Sequence, residues 1–181
     1  FGDWSSDVCS SDLVWLVKTA PLHITPYGIF IHTETKNDTA LVTVQTTVIN
    51  QYDSSQEFEI VHTILDANGK SAATHQIKNQ SLTAGQAEDF PCTLTVNTPK
   101  LWSLESPHLY KLVTLIQCDG KTIDKVETSF GIRTIHFDPD KGFFLNGKSV
   151  KLKGTNNHQD HAGVGAAIPD ALQEFRIARL K

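Results

Sequence analysis

From residue 27 to residue 135 the chain repeats one pattern, short runs in which apolar and polar side chains alternate. Val42, Val44 and Val48 share one face of such a run, and Phe58, Ile60 and Ile64 share a face of the next. Phe90, Cys92, Leu94 and Val96 form a third, Tyr110, Leu112, Ile116 and Cys118 a fourth, and Val126, Thr128, Phe130 and Ile132 a fifth. A period of two gathers these residues on one side of a pleated strand, whereas a helix would scatter them. Their β-branched and aromatic enrichment fits half-buried strands.

Turn chemistry separates the runs: Lys36-Asn37-Asp38, Ala67-Asn68-Gly69-Lys70, Ala84-Gly85 and Cys118-Asp119-Gly120-Lys121. Asn-Gly and Asp-Gly pairs tolerate the positive φ that tight hairpins need. About seven strands in about 110 residues is the pattern of an immunoglobulin-like β-sandwich. The Cys…Trp…Cys spacing of antibody domains is not among the motifs.

The formal charge of -4 and pI near 6.0 give no basic footprint for nucleic acid or an anionic membrane. No apolar run approaches the roughly 20 residues of a membrane span, and no secretory leader pattern is visible. The chain has no Met and begins at Phe1, and its last residues read as a helix, so it is expected to be a fragment cut at both ends. A missing leader then fixes no compartment. Residues 1–13 hold two near-copies of Ser-Ser-Asp and no lysine or arginine. They resemble translated sequencing-adapter read-through and are expected to be non-native. Cys9 falls in that segment, leaving Cys92 and Cys118, which make neither a disulfide framework nor a C-x-x-C site. Cys92 is expected to face the core as a small hydrophobe.

The texture changes at His136-Phe137-Asp138-Pro139-Asp140-Lys141-Gly142, read as a polar turn because a calcium loop needs a longer run of oxygen ligands. Phe143-Phe144-Leu145-Asn146-Gly147-Lys148-Ser149-Val150 reads as a two-residue hairpin, and Val150-Lys151-Leu152-Lys153-Gly154 as a continuing strand. Farther on, Asp170 is placed to cap a helix with Gln173 returning the bond, and Ala171, Phe175 and Ala178 follow at helical spacing. Strand, loop and helix in that order predict the first βα unit of an α/β domain. The loop holds Asn156-Asn157-His158-Gln159-Asp160-His161. It can be a solvated turn. It can be a metal site, but the segment supplies too few ligands for zinc. It can also be a substrate site, where histidine donates to a sugar hydroxyl or to developing charge.

Several separated motifs then resemble one family. Phe130-Gly131-Ile132-Arg133-Thr134-Ile135, Gly142-Phe143-Phe144-Leu145-Asn146-Gly147-Lys148 and Lys151-Leu152-Lys153-Gly154-Thr155-Asn156-Asn157-His158 are similar to glycoside hydrolase family 2. That family holds the β-galactosidases, β-glucuronidases and β-mannosidases. Leu101-Trp102-Ser103-Leu104-Glu105-Ser106-Pro107-His108-Leu109-Tyr110 resembles its sandwich hallmark, and Val14-Trp15-Leu16-Val17 the last strand of its N-terminal jelly roll. The resemblance implies a jelly-roll tail at 14–24, the immunoglobulin-like sandwich at 25–136, and at 137–181 the first strand and helix of a truncated (β/α)8 catalytic barrel. It makes the fold mainly β.

The resemblance also implies a retaining hydrolysis of terminal β-linked sugars, most closely β-galactosides. Two glutamates of later barrel strands would act as acid/base and nucleophile, with no catalytic residue in this fragment. His158 and Asn156 match the family's substrate-side histidine and asparagine, while Thr155, Asn157 and Gln159 depart from its Val, basic residue and Glu. The expected partner is a β-glycoside, with no nucleic acid and no membrane, and with room for a homo-oligomer at full length. Magnesium or sodium is implied for the full-length enzyme, without a ligand set here. A non-catalytic β-sandwich module for carbohydrate binding or spacing is the alternative. In that reading Trp102 would be a sugar-stacking platform, although its place before Ser106-Pro107 favours a packed corner.

Overall fold

A computed structural model describes residues 16–154, 156, 160–165 and 168–181. The adapter-like segment and His158 lie outside the described residues, as do Thr155, Asn157 and Gln159. The chain divides into two compact units, Thr19–Lys151 and a second made of Phe1–Lys18 with Leu152–Lys181.

Seven long strands build the first unit: β1 Leu22–Lys36, β2 Thr39–Asn50, β3 Gln56–Leu65, β4 Ser71–Leu82, β5 Ala87–Asn97, β6 Tyr110–Cys118 and β7 Lys121–Phe130. They pair antiparallel in two sheets, ordered β1-β2-β5 and β4-β3-β6-β7. The chain changes sheet between β2 and β3, between β4 and β5, and again between β5 and β6. Alternate side chains of each central strand turn inward, as in β2, where Val42, Val44, Thr46, Val48 and Asn50 are all fully buried.

Two apolar clusters fill the space between the sheets. Val42, Val44, Leu94 and Val96 of one sheet meet Ile64, Tyr110 and Leu112 of the other. Leu22, Val48 and Phe90 meet Phe58, Ile60 and Ile116, with the Phe58 and Phe90 rings edge to face at 5.4 Å. Each such side chain taken fully from water contributes about 1.5–3 kcal/mol. At the start of β6 the buried Tyr110 turns its hydroxyl back to accept the Lys100 backbone N–H at 2.9 Å. A tyrosine tied upstream in this way fastens the corner of immunoglobulin-like sandwiches.

The hairpins take the backbone that their sequences ask for, with Asn37, Asp119 and Asn146 at φ of 54°, 50° and 50°. The ladder of β1 is broken by a register shift between Ile24 and Ile29, where Tyr27 stands at φ 58° after Pro26.

A small sheet follows, β8 Ile135–Asp138, β9 Gly142–Leu145 and β10 Lys148–Ser149. Half of the stretch expected as a polar turn is thus strand. Its tip is closed by Asp138, whose Oδ1 accepts the backbone N–H groups of Asp140 and Lys141, both at 2.9 Å. The strand expected over 150–154 does not form. Val150 still donates to the Phe143 carbonyl, but residues 151–154 are exposed and unpaired in any ladder.

In the second unit Leu16 and Val17 are exposed and in no strand. Helix α1 spans Asp170–Leu180, and Pro169, not Asp170, is its N-cap. The expected capping box is therefore absent. Asp170 already lies inside the helix, where its charge complements the N-terminal dipole. No residue of α1 is buried. Among the described residues after Ser149 no strand accompanies α1.

Candidate functional site

In the loop that the sequence singles out, Asn156 and Asp160 are exposed and His161 is half-buried. His161 exchanges both backbone hydrogen bonds with Gly165 at 3.0 Å and also accepts from Val164. Its Nδ1 lies 2.8 Å from the Ala162 carbonyl. A carbonyl only accepts, so Nδ1 is the donor in this contact. From α1 the Arg176 guanidinium donates to the Asp160 carbonyl at 2.6 Å, tying loop to helix. Of the two proposed substrate contacts, Asn156 is free to meet solvent, while His158 is not among the described residues. Among the described residues no three His, Cys, Asp or Glu side chains come together to hold a metal.

A second constellation lies on the sandwich unit, at the Trp102 corner. The Trp102 backbone N–H donates to the Ile132 carbonyl at 2.8 Å, and its carbonyl accepts the Asn146 side-chain amide at 2.9 Å. The other end of that amide accepts the Thr134 N–H at 3.0 Å, while the Asn146 N–H donates to the Thr134 carbonyl at 2.9 Å. One asparagine thus fastens three segments: the corner, the connector after β7, and the β9–β10 hairpin. Gly131 has a separate reason. A Cβ there would stand 2.9 Å from the Trp102 Cβ and 3.0 Å from its ring. Only a residue without a side chain lets the indole settle.

The Arg133 guanidinium lies over that indole, 4.9 Å from the ring centroid. Thr33 on β1 ties down the arginine's backbone, its hydroxyl donating to the Arg133 carbonyl at 3.1 Å. Around this group opens a cleft of about 870 Å³, lined by residues 31–35, 129–131 and 133–135 with Trp102 and Leu109. Trp102 is half-buried and covered by Arg133, so the packed-corner reading holds and the bare stacking platform does not.

Sequence reading missed His62. It occupies the inward face of β3 between Ile60 and Ile64 and is fully buried. Its Nε2 is 2.9 Å from the Thr46 hydroxyl and its Nδ1 3.5 Å from the Cys92 sulfur, both on the opposite sheet. Burial, and then the nearby His75, lower its pKa to about 4, so the ring is neutral at pH 7. Burial raises the Cys92 thiol to about 11, which keeps it protonated and unreactive. The signal was available in the period of two, which puts residue 62 on the core face.

The carboxylates with resolved shifts run away from proton donation. Hydrogen bonds from Lys111 and then Lys125 draw exposed Glu127 down to about 2. The backbone N–H groups of Lys141 and Asp140 lower Asp138.

The family model for glycosyl hydrolases family 2 matches residues 22–133. A β-galactosidase of Bacteroides ovatus is 33% identical over 169 residues, covering 93% of this chain and 20% of that protein. A β-glucuronidase of Formosa agariphila is also 33% identical, over 90% of this chain and 18% of its own length. The crystal structure of a glycosyl hydrolase family 2 member from Bacteroides cellulosilyticus superposes with a TM-score of 0.80 at 35% identity, covering 88% of this chain and 22% of that one. The chain spans about a fifth of the length of these relatives.

Proposed function

The chain belongs to glycosyl hydrolases family 2, and from that premise we propose that it is part of a retaining exo-glycosidase that removes terminal β-linked sugars, β-galactosides foremost. The observation that carries this is the family match over 22–133. In this reading residues 137–181 begin a (β/α)8 catalytic domain, and His158 and Asn156 belong to its sugar site. The bond is cleaved by two carboxyl groups roughly 5–5.5 Å apart, one donating the proton to the leaving oxygen and the other attacking the anomeric carbon. Water then releases the covalent glycosyl intermediate. Both glutamates come from later strands of a longer protein. Glu127 and Asp138 are held ionised at neutral pH and are unsuited to donate that proton. The family relation to a β-galactosidase supports the galactoside preference, and the equal identity to a β-glucuronidase makes the glucuronide the comparison to run.

The test has two parts. The purified 181-residue chain is expected to release no nitrophenol from nitrophenyl β-galactoside. The complete gene product is expected to cleave that substrate faster than the glucuronide, with His158→Ala lowering kcat/KM by about 100-fold. Turnover by the isolated chain, freed of host enzyme, or none by the complete product overturns the proposal.

A further inference from the structure

No residue lining the cleft at the Trp102 corner belongs to the loop assigned to that reaction. We propose that this cleft is a non-catalytic binding site for neutral saccharides. Its volume, about 870 Å³, falls in the range of small-molecule sites, roughly 300–1,000 Å³. β1 ends its sheet, so among the described residues the cleft opens beside a strand with no paired strand on that side.

The lining explains the ligand class. A guanidinium such as that of Arg133 only donates hydrogen bonds, and a carboxylate such as that of Glu34 only accepts them. Both line the same cleft, so its charge is balanced. A free anion would meet Glu34, and a cation would meet Arg133. A sugar hydroxyl both donates and accepts, so a neutral saccharide can meet either side chain without a charge clash. Leu109 and Ile135, 50% and 58% exposed, offer apolar surface for the C–H face of the ring.

The donor is also held in place. Arg133 rests on the indole at 4.9 Å, its backbone is pinned by Thr33, and no ion pair claims it among the described residues. Glu34 keeps only a 3.5 Å contact with the His32 ring, and both side chains are well exposed. A preorganised guanidinium loses little freedom on binding. The indole serves as the arginine's seat, with no need to face the sugar itself.

This inference asks nothing of residues 156–161, so its failure leaves the glycosidase reading standing. The test follows the Trp102 indole N–H of the isotopically labelled chain by NMR while lactose is added, with glucuronate as the charged comparison. A saturable shift is expected, with a dissociation constant on the order of 1 mM. Glu34→Gln and Arg133→Gln should each weaken it by about tenfold or more, with the remaining amide spectrum unchanged. No shift at tens of millimolar lactose overturns the site. So does binding indifferent to both substitutions, and so does glucuronate binding more tightly than lactose.

Discussion

The sandwich and helix α1 use similar residues to opposite ends. In the sandwich Ile60, Ile64, Leu112 and Ile116 are fully buried, because two sheets bring their inward faces together. In α1, Phe175, Ile177 and Leu180 are 53%, 65% and 68% exposed, and no residue is buried. Both segments carry the right local period. A strand's period gains stability only when another layer covers it, and the same holds for the apolar stripe of a helix. The sandwich thus buries its own apolar faces, while α1 leaves its own exposed and is tied to its loop by the Arg176 bond to Asp160.

The contrast breaks first at the core. Leu112→Ala should cost about 3 kcal/mol in urea unfolding, whereas Ile177→Ala should stay within about 0.5 kcal/mol. Equal losses would mean that α1 shares the sandwich's cooperative core.

His62 sharpens it next, as the polar member of an apolar interior. Its pKa is 6.5 when free and about 4 when folded, so between those values the unfolded chain binds more protons. Its contribution is fully present above pH 6.5 and is lost as the pH falls to about 4. The loss is about 3 kcal/mol. Unfolding measured at several pH values should show this slope in the natural chain and its absence in His62→Leu. The same slope in both would place the acid sensitivity elsewhere.

The Trp102 corner comes third. Gly131→Ala should cost about 2 kcal/mol, because the added methyl meets an indole that is held by its own backbone bonds. Near-UV circular dichroism of the tryptophans should change with it. A silent substitution would show that the corner gives way freely.

The smallest effect belongs to the replacement of Asn146 by glycine. Asn146→Gly keeps the positive φ and removes the bonds to Trp102 and Thr134, for a loss of about 1–2 kcal/mol. Asn146→Ala should lose about 1 kcal/mol more, because alanine disfavours that backbone. If the glycine variant is as stable as the natural chain, the asparagine serves its turn alone.

The sequence made the central strands legible because they are half-buried, and half-burial writes itself as alternation. It was nearly silent about β4, whose run Ser71–Leu82 is mostly polar. β4 lies at the end of its sheet, where little of the strand needs cover. Asn146 shows the same divide at one residue. Its turn could be read from Asn-Gly, but its side-chain bonds reach Trp102, 44 positions away, and only the folded chain brings those together. The capping box at Asp170 failed because Pro169 already set the entry to the helix. At the candidate sugar loop, the family motif named His158 and Asn156, whereas the cleft beside Arg133 is assembled from four separate stretches that no local motif joins.

The interruption of β1 has a consequence for the chain in a crowded solution. A terminal strand of fifteen residues with an intact ladder would offer a second molecule a long row of unsatisfied backbone groups. Pro26 withholds a donor, and Tyr27 turns the backbone out of plane, so that row is cut in two. At the other sheet's end, Lys78 and His75 sit exposed on β4. With a formal charge of only -4, such interruptions matter more, because they shorten the continuous ladder that a second copy could pair with.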